Sequence, residues 1–167
     1  MGEKLTRSDV KKIQEEIEYR RLELRPRLLE DVKETRAHGD LSENFEYHAA
    51  KKEKNKNESR IRYLERMLRN AQVIDECSRE DEVGMNNTVL VYFEEDDTTE
   101  EYRIVTSVRG DSLHNLISIE SPLGKALMGH RIGERVEVRV NETYSYPVVI
   151  QNIINTEDDS QDRIRSY

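Results

Sequence analysis

Cysteine, long apolar runs and excess positive charge are all scarce in these 167 residues, and each scarcity excludes something. The one cysteine, Cys77, rules out an internal disulfide and a cysteine-based zinc site; it reads as an ordinary thiol near a linker. No stretch approaches the roughly 18 apolar residues of a membrane span, and the first residues lack an apolar signal core, so a soluble, cytoplasmic protein with no membrane partner is expected. Apolar residues make up 35% and charged residues 37% of the chain, too lean a mixture for one large core. One or two small domains in an elongated shape are expected instead. The net charge of −8 argues against free nucleic acid as a partner, because neutralising phosphates takes a basic surface. Residues 1–75 carry a net +2 and residues 76–167 a net −10, and any contact with RNA must be local.

What the chain does have is helical periodicity followed by strands. From Ser8 to His38 the residues Val10, Ile13, Ile17, Leu24, Leu28 and Val32 recur at steps of three, four or seven, one narrow apolar stripe on a helix. Thr6 or Ser8 can cap its start, Gly39 suits the left-handed position that ends it, and Pro26 should kink it. From Asn44 to Ile74, Tyr47, Ala50, Ile61, Leu64, Leu68 and Ala71 form a second stripe. The two stripes are expected to pack as an antiparallel coiled coil, an arm of roughly 45 Å at about 1.5 Å per residue. Its middle, Lys51 to Ser59, has little that is apolar to bury.

After an acidic stretch with Gly84, strand patterns begin at Thr88–Phe93, Tyr102–Thr106, Leu116–Ile119, Arg135–Val140 and Tyr146–Ile154. One short helix interrupts them: Ser121 as its cap, Pro122 at its first position, and Gly129 as its stop. The expected fold class is therefore α+β in two domains. A helical hairpin spans 1–75 with its tip at 39–44, a linker spans 76–87, a small α+β domain spans 88–155, and 156–167 is a flexible acidic tail.

The break between the two helices, His38-Gly39-Asp40-Leu41-Ser42-Glu43-Asn44, sets two carboxylates three residues apart. Two readings stand side by side. Asp40 and Glu43 can form a capping box at the start of the second helix. Alternatively, both reach a divalent cation from one exposed turn; two monodentate carboxylates leave the octahedral shell of Mg²⁺ incomplete, so such a tip would bind metal well only with ligands from a partner. Arg36 lies one turn below Asp40, and Lys51, Lys52, Lys54 and Lys56 begin about two turns below Glu43, roughly 12 Å by helical rise. An acidic point on a basic shaft can hold a metal at its end and a phosphodiester chain along its side. A solvated charged face would look similar.

The run from His38 to Lys51 resembles the tip signature of the bacterial transcript cleavage factors of the GreA/GreB family, and fits the GreA type better than the GreB type. Arg60-Ile61 through Leu68 and Asn70 to Asp75 are similar to the family's descending helix. Ile119-Glu120-Ser121-Pro122-Leu123-Gly124-Lys125-Ala126-Leu127 resembles the hallmark of its FKBP-like C-terminal domain, as does Gly133-Glu134. The likeness runs from about Leu5 to Ile154. It implies a monomer that inserts its coiled coil into the secondary channel of bacterial RNA polymerase and meets the nascent RNA 3′ segment only there. Asp40 and Glu43 would be the catalytic tip acids sharing a second Mg²⁺ with the polymerase carboxylates, Arg36 and Lys51 the RNA-contacting positions, and Ser121, Pro122 and Leu123 the polymerase-docking corner. The chain would then not be an enzyme by itself, but would switch on cleavage of backtracked RNA latent in its partner. Phe45 departs from the small residue of many relatives.

Three rivals use the same sequence differently. A non-cleaving regulator would block the channel with the same hairpin. A peptidyl-prolyl isomerase needs an aromatic-lined pocket, against which stand the absence of tryptophan and the scatter of the tyrosines around Phe93. A coiled-coil adaptor would bind unchanged without Asp40 and Glu43. The four histidines have no zinc-like spacing.

Overall fold

Thr6 and Asp9 start the first helix by satisfying each other's backbone: the Asp9 amide donates to Thr6 Oγ1 at 3.1 Å, and the Thr6 amide donates to Asp9 Oδ2 at 3.0 Å. This reciprocal pairing is a capping box, and it makes Thr6 rather than Ser8 the cap. The computed structural model describes residues 2–39, 44–75, 81–156 and 160–166, and Cys77 lies outside them. It divides into two compact units, one of Val10–Ala71 with the first two residues, the other of Glu3–Asp9 with Gln72 onward.

A two-residue strand β1 (Lys4–Leu5) precedes α1 (Arg7–Tyr19). Residues Arg20–Leu24 then form a π turn that leads into α2 (Arg25–Arg36). Pro26, in the first turn of α2, explains the widening. Its ring would crowd the carbonyl four residues back and it brings no amide of its own, so the local ladder shifts and the Arg25 amide reaches the Arg20 carbonyl instead. The kink expected from the sequence is thus an inserted residue that keeps one continuous helical path. After Ala37 and His38, Gly39 takes φ +127°, a conformation that other residues rarely adopt.

The return helix α3 (Phe45–Asn70) is 26 residues long, about 39 Å of rise. It ends four residues before Ile74, because Gln72 and Val73 leave the helix as β2 (Gln72–Val73) to pair in parallel with Lys4 and Leu5. Within the hairpin, Ile13, Ile17, Ile61, Leu64 and Met67 are buried, as is Tyr47. Between these apolar ends lies a polar layer. Asn57 and Arg60 are buried; Arg60 Nε and Arg20 Nε both donate to Glu16 Oε2 at 2.8 Å, and Arg20 Nη1 donates to Asn57 Oδ1 at 2.9 Å. The Asn57 amide returns to the Arg20 carbonyl at 3.3 Å, and Arg25 grips Glu58 with two hydrogen bonds of 2.7 and 2.9 Å. Burial pushes the Glu16 carboxyl up, but the hydrogen bonds from Arg60 and Arg20 outweigh it and hold the group below its usual 4.5. The stretch that the sequence leaves without apolar residues is held by hydrogen bonds instead.

The second unit is built on β3 (Thr88–Phe93), β4 (Thr98–Val105), β5 (Leu116–Ser118), β6 (Arg135–Arg139) and β7 (Ser145–Ile154), ordered β5-β4-β3-β7-β6. Within this five-stranded sheet the β4–β5 pairing is parallel and the others antiparallel, and a bulge at Leu90/Val91 shifts the β3–β7 register. The helix α4 (Pro122–Leu127) lies between β5 and β6 in sequence. Alternate residues of the strands turn inward, so Val89, Val91, Ile104, Val136, Val138, Val148 and Ile150 form the core with Val83 and Leu127. The tyrosines that are scattered in sequence converge: Phe93 stands 6.1 Å from both Tyr102 and Tyr146, and Tyr146 is 6.0 Å from Tyr144. Phe93, Tyr102 and Tyr146 pack against the core, while Tyr144 is exposed.

Arg109, in a 3₁₀ turn after β4, is 1% exposed. Its guanidinium pairs with Asp9 Oδ1, and its Nη1 donates to Asn86 Oδ1 and Asp162 Oδ2, both at 2.8 Å. Thr106 Oγ1 adds a hydrogen bond of 2.7 Å to Asp9. Asp162 falls in the stretch expected to be a solvated tail. Two arginine partners draw it in, since Arg103 Nη1 also donates to it at 2.7 Å.

Candidate functional site at the end of the hairpin

Asn44 closes the hairpin end. Its side chain accepts from the Tyr47 amide at 3.0 Å as the N-cap of α3, and its amide nitrogen donates to the Thr35 carbonyl at 2.6 Å, across to the last turn of α2. One residue therefore caps one helix and ties it to the other, satisfying orphan groups at both ends. This bears on the capping reading of Asp40 and Glu43. Because α3 begins at Phe45 with Asn44 as its cap, the N-cap position is not Asp40's. Asp40 and Glu43 themselves lie outside the described residues.

Next to the cap, Tyr47 is buried and Arg36 closes over it. The guanidinium carbon sits 5.6 Å from the ring centroid, and Nη2 donates to the phenol oxygen at 3.3 Å. The Arg36 hydrogen bond, with the charges of Arg36, Lys51 and Lys54, holds the Tyr47 phenol below its usual 10.0 despite burial. A local positive field thus exists at the base of the loop in a chain of net negative charge. Arg36 and Lys51 are both exposed, Arg36 as the last residue of α2 and Lys51 on α3. Arg36, which the resemblance implies as an RNA-contacting position, is anchored on Tyr47 and stays at the surface. Phe45, the first residue of α3, is 86% exposed, and His38 lies 3.6 Å from Glu46.

The donor chemistry fits a hard cation. Carboxylates flanked by a left-handed glycine and an extended Asn44 offer oxygen ligands only, the kind Mg²⁺ takes. Among the described residues no group of three or more acidic, histidine or cysteine side chains gathers to hold a metal.

The corner Ser121-Pro122-Leu123 belongs to the other unit. Ser121 caps α4, accepting from the Gly124 amide at 3.1 Å and donating to the Ser118 carbonyl at 2.6 Å. Pro122 is exposed at the first helical position. Leu123 is half-buried and packs on the core, so it serves the fold as well as the surface. Gly124 is required here: a Cβ would come within 2.0 Å of the Ser118 carbonyl oxygen. Sequence reasoning missed Asn44 and Tyr47 as parts of this site, although an Asn directly before a helical stripe is itself a capping signal.

Two family models match the chain, "Transcription elongation factor, N-terminal" over residues 3–73 and "Transcription elongation factor, GreA/GreB, C-term" over residues 78–155. The chain is 47% identical over 137 residues to the transcription elongation factor GreA of Caldanaerobacter subterraneus subsp. tengcongensis, covering 81% of this chain and 87% of that protein. It is 42% identical over 135 residues to GreA of Agrobacterium fabrum, covering 80% and 85%. Among solved structures, GreA factor homolog 1 (Gfh1) of Thermus thermophilus is 25% identical, with 93% of this chain and 100% of that chain covered and a TM-score of 0.43. With both family segments matched in order and over two-fifths of positions shared with its GreA relatives, this chain belongs to the GreA/GreB family of transcription elongation factors.

Proposed function

We propose that this elongation factor acts from within the secondary channel of bacterial RNA polymerase, where its hairpin loop stimulates the polymerase's own cleavage of backtracked nascent RNA and so rescues arrested complexes. The observation that carries this reading is the loop itself: it holds two carboxylates three residues apart, while the job of capping α3 is done by Asn44. With the cap position taken by Asn44, the two acids are read as ligands for a metal shared with a partner.

Asp40 and Glu43 present anionic oxygens at the end of the hairpin, where they complete a ligand set that the polymerase leaves unfinished and orient a water for attack on the RNA phosphodiester. Mg²⁺ held jointly by these acids and the polymerase would supply the charge that stabilises the attacking and leaving oxygens of a two-metal displacement. Arg36 and Lys51 hold the extruded RNA by its phosphates, a reading supported by their exposure on neighbouring turns of α2 and α3. The Ser121-Pro122-Leu123 corner docks the factor on the polymerase. The chain supplies ligands and position and has no cleavage activity alone.

The test is to add the protein to stalled elongation complexes carrying labelled RNA. Shortened transcripts that then resume extension are expected. Inhibition of extension with full-length RNA retained would instead make the chain a non-cleaving regulator of the same channel.

A further inference from the structure

The C-terminal residues beyond the family match, which ends at 155, reach into the second unit and meet two arginines there. Asp162 spans the pair, its Oδ1 taking a hydrogen bond from Arg103 at 2.7 Å and its Oδ2 one from Arg109 at 2.8 Å. The tail is fixed again three residues on, where the Arg165 amide donates to the Val108 carbonyl at 2.7 Å and its Nη2 donates to Glu3 Oε1 at 2.9 Å. Glu3 is in turn bonded to Ser107. The neighbours Gln161 and Arg163 are exposed.

The two acids of this network differ in kind. Asp9 is fully buried, built into the start of α1 by its bonds to Thr6 and Thr106. Asp162, whose side chain is 5% exposed, lies against an Arg103 side chain that is 15% exposed. Asp162 is one of the acids that balance Arg103 and Arg109, so withdrawing the tail removes a counter-charge from a largely dry place. A buried charge without a counter-charge is costly, and two guanidinium forks facing one space match the oxygens of a carboxylate or phosphate. We propose that Arg103 and Arg109 form an oxyanion-binding site of the C-terminal unit, that the chain's own tail fills it with the Asp162 carboxylate, and that the tail is a plug which an oxyanion ligand displaces.

The test compares thermal unfolding of the full chain with that of Asp162→Ala and of a chain ending at Thr156, in chloride, inorganic phosphate and acetate at equal ionic strength. Both variants should melt lower than the full chain in chloride. Millimolar phosphate or acetate should restore much of the loss in the variants, leave the full chain nearly unmoved, and do nothing for Arg103→Ala/Asp162→Ala. Stronger rescue by phosphate marks a tetrahedral ligand, and stronger rescue by acetate a planar one. Equal melting of all chains in chloride, or the same anion effect on all of them, would overturn the proposal. A second measurement needs no variant. Carboxypeptidase digestion of the full chain should slow at the two holds, Arg165 and then Asp162, in chloride and pass Asp162 faster in phosphate, whereas a free peptide of residues 157–167 is trimmed alike in both. Digestion that passes Asp162 equally fast in chloride would show that there is no plug.

Discussion

The hairpin and the sheet unit solve the same problem of cohesion with opposite materials. The sheet unit buries a continuous set of branched aliphatic side chains from four strands and α4, so its stability follows apolar area removed from water. The hairpin has an apolar end around Ile13, Ile17, Ile61 and Leu64, then a layer of Glu16, Arg20, Asn57 and Arg60, and near its loop little more than Tyr47 under Arg36. A polar interior gives less stabilisation per residue, but it lets a slim two-helix element carry charge along both faces. A sheet unit of this kind can be rigid and apolar inside, whereas a slim hairpin keeps its charge at the surface and holds together through polar pairs.

That contrast is broken most strongly from the sheet side. Ile150→Ala removes a fully buried side chain from the middle of β7 and should cost about 2–5 kcal/mol, read as a lower denaturation midpoint. In the hairpin, Arg60→Ala strips Glu16 of one of its two arginines; Glu16 is a quarter exposed, so the expected loss is smaller, about 1–3 kcal/mol. The same pair gives a pH signature. Glu16 is held below its usual 4.5, so its contribution is fully present above that value and fades as pH falls further. Helicity of the wild type should therefore drop more steeply below about pH 4.5 than that of Glu16→Gln, as followed by circular dichroism. Equal slopes would mean the polar layer does not stabilise the hairpin.

Smaller effects sharpen the comparison. Asn44→Ala should cost about 0.5–2 kcal/mol through the lost cap and Thr35 link, with fraying near the loop detectable by amide exchange. Pro122→Ala, at an exposed position, should change stability by less than about 0.5 kcal/mol while weakening apparent affinity for polymerase, a loss that excess factor corrects. Leu123→Asp is a poor probe of docking, since it also puts a charge against the core.

The parts legible in the sequence are those with local periodicity or a compact motif. The apolar stripes announced both helices, and alternation announced the strands, although β4 starts at Thr98 and not at Tyr102. The tip motif marks the loop between α2 and α3. What stayed hidden was set by partners far apart in the chain. Nothing near Arg109 signals that Asp9 and Asp162 will surround it, because a charged residue in a polar sequence looks the same whether solvated or paired. The β1–β2 pairing is two residues long and carries no pattern. The convergence of Phe93, Tyr102, Tyr144 and Tyr146 depends on strand order, which alternation alone does not reveal. The capping box was sought at Asp40 because its spacing was right, while the helix took its cap from Asn44 and a true capping box formed at Thr6 and Asp9.

The most direct test of the central claim is transcript cleavage by saturating Asp40→Asn and Glu43→Gln variants on stalled elongation complexes, measured beside Asn44→Ala. The two isosteric variants keep the shape of the loop and remove only its charge. They should bind polymerase and unfold like the wild type yet lose nearly all cleavage stimulation, while Asn44→Ala, which loosens the loop but keeps both acids, should retain cleavage at reduced rate. Wild-type cleavage by either charge-neutral variant would contradict the account.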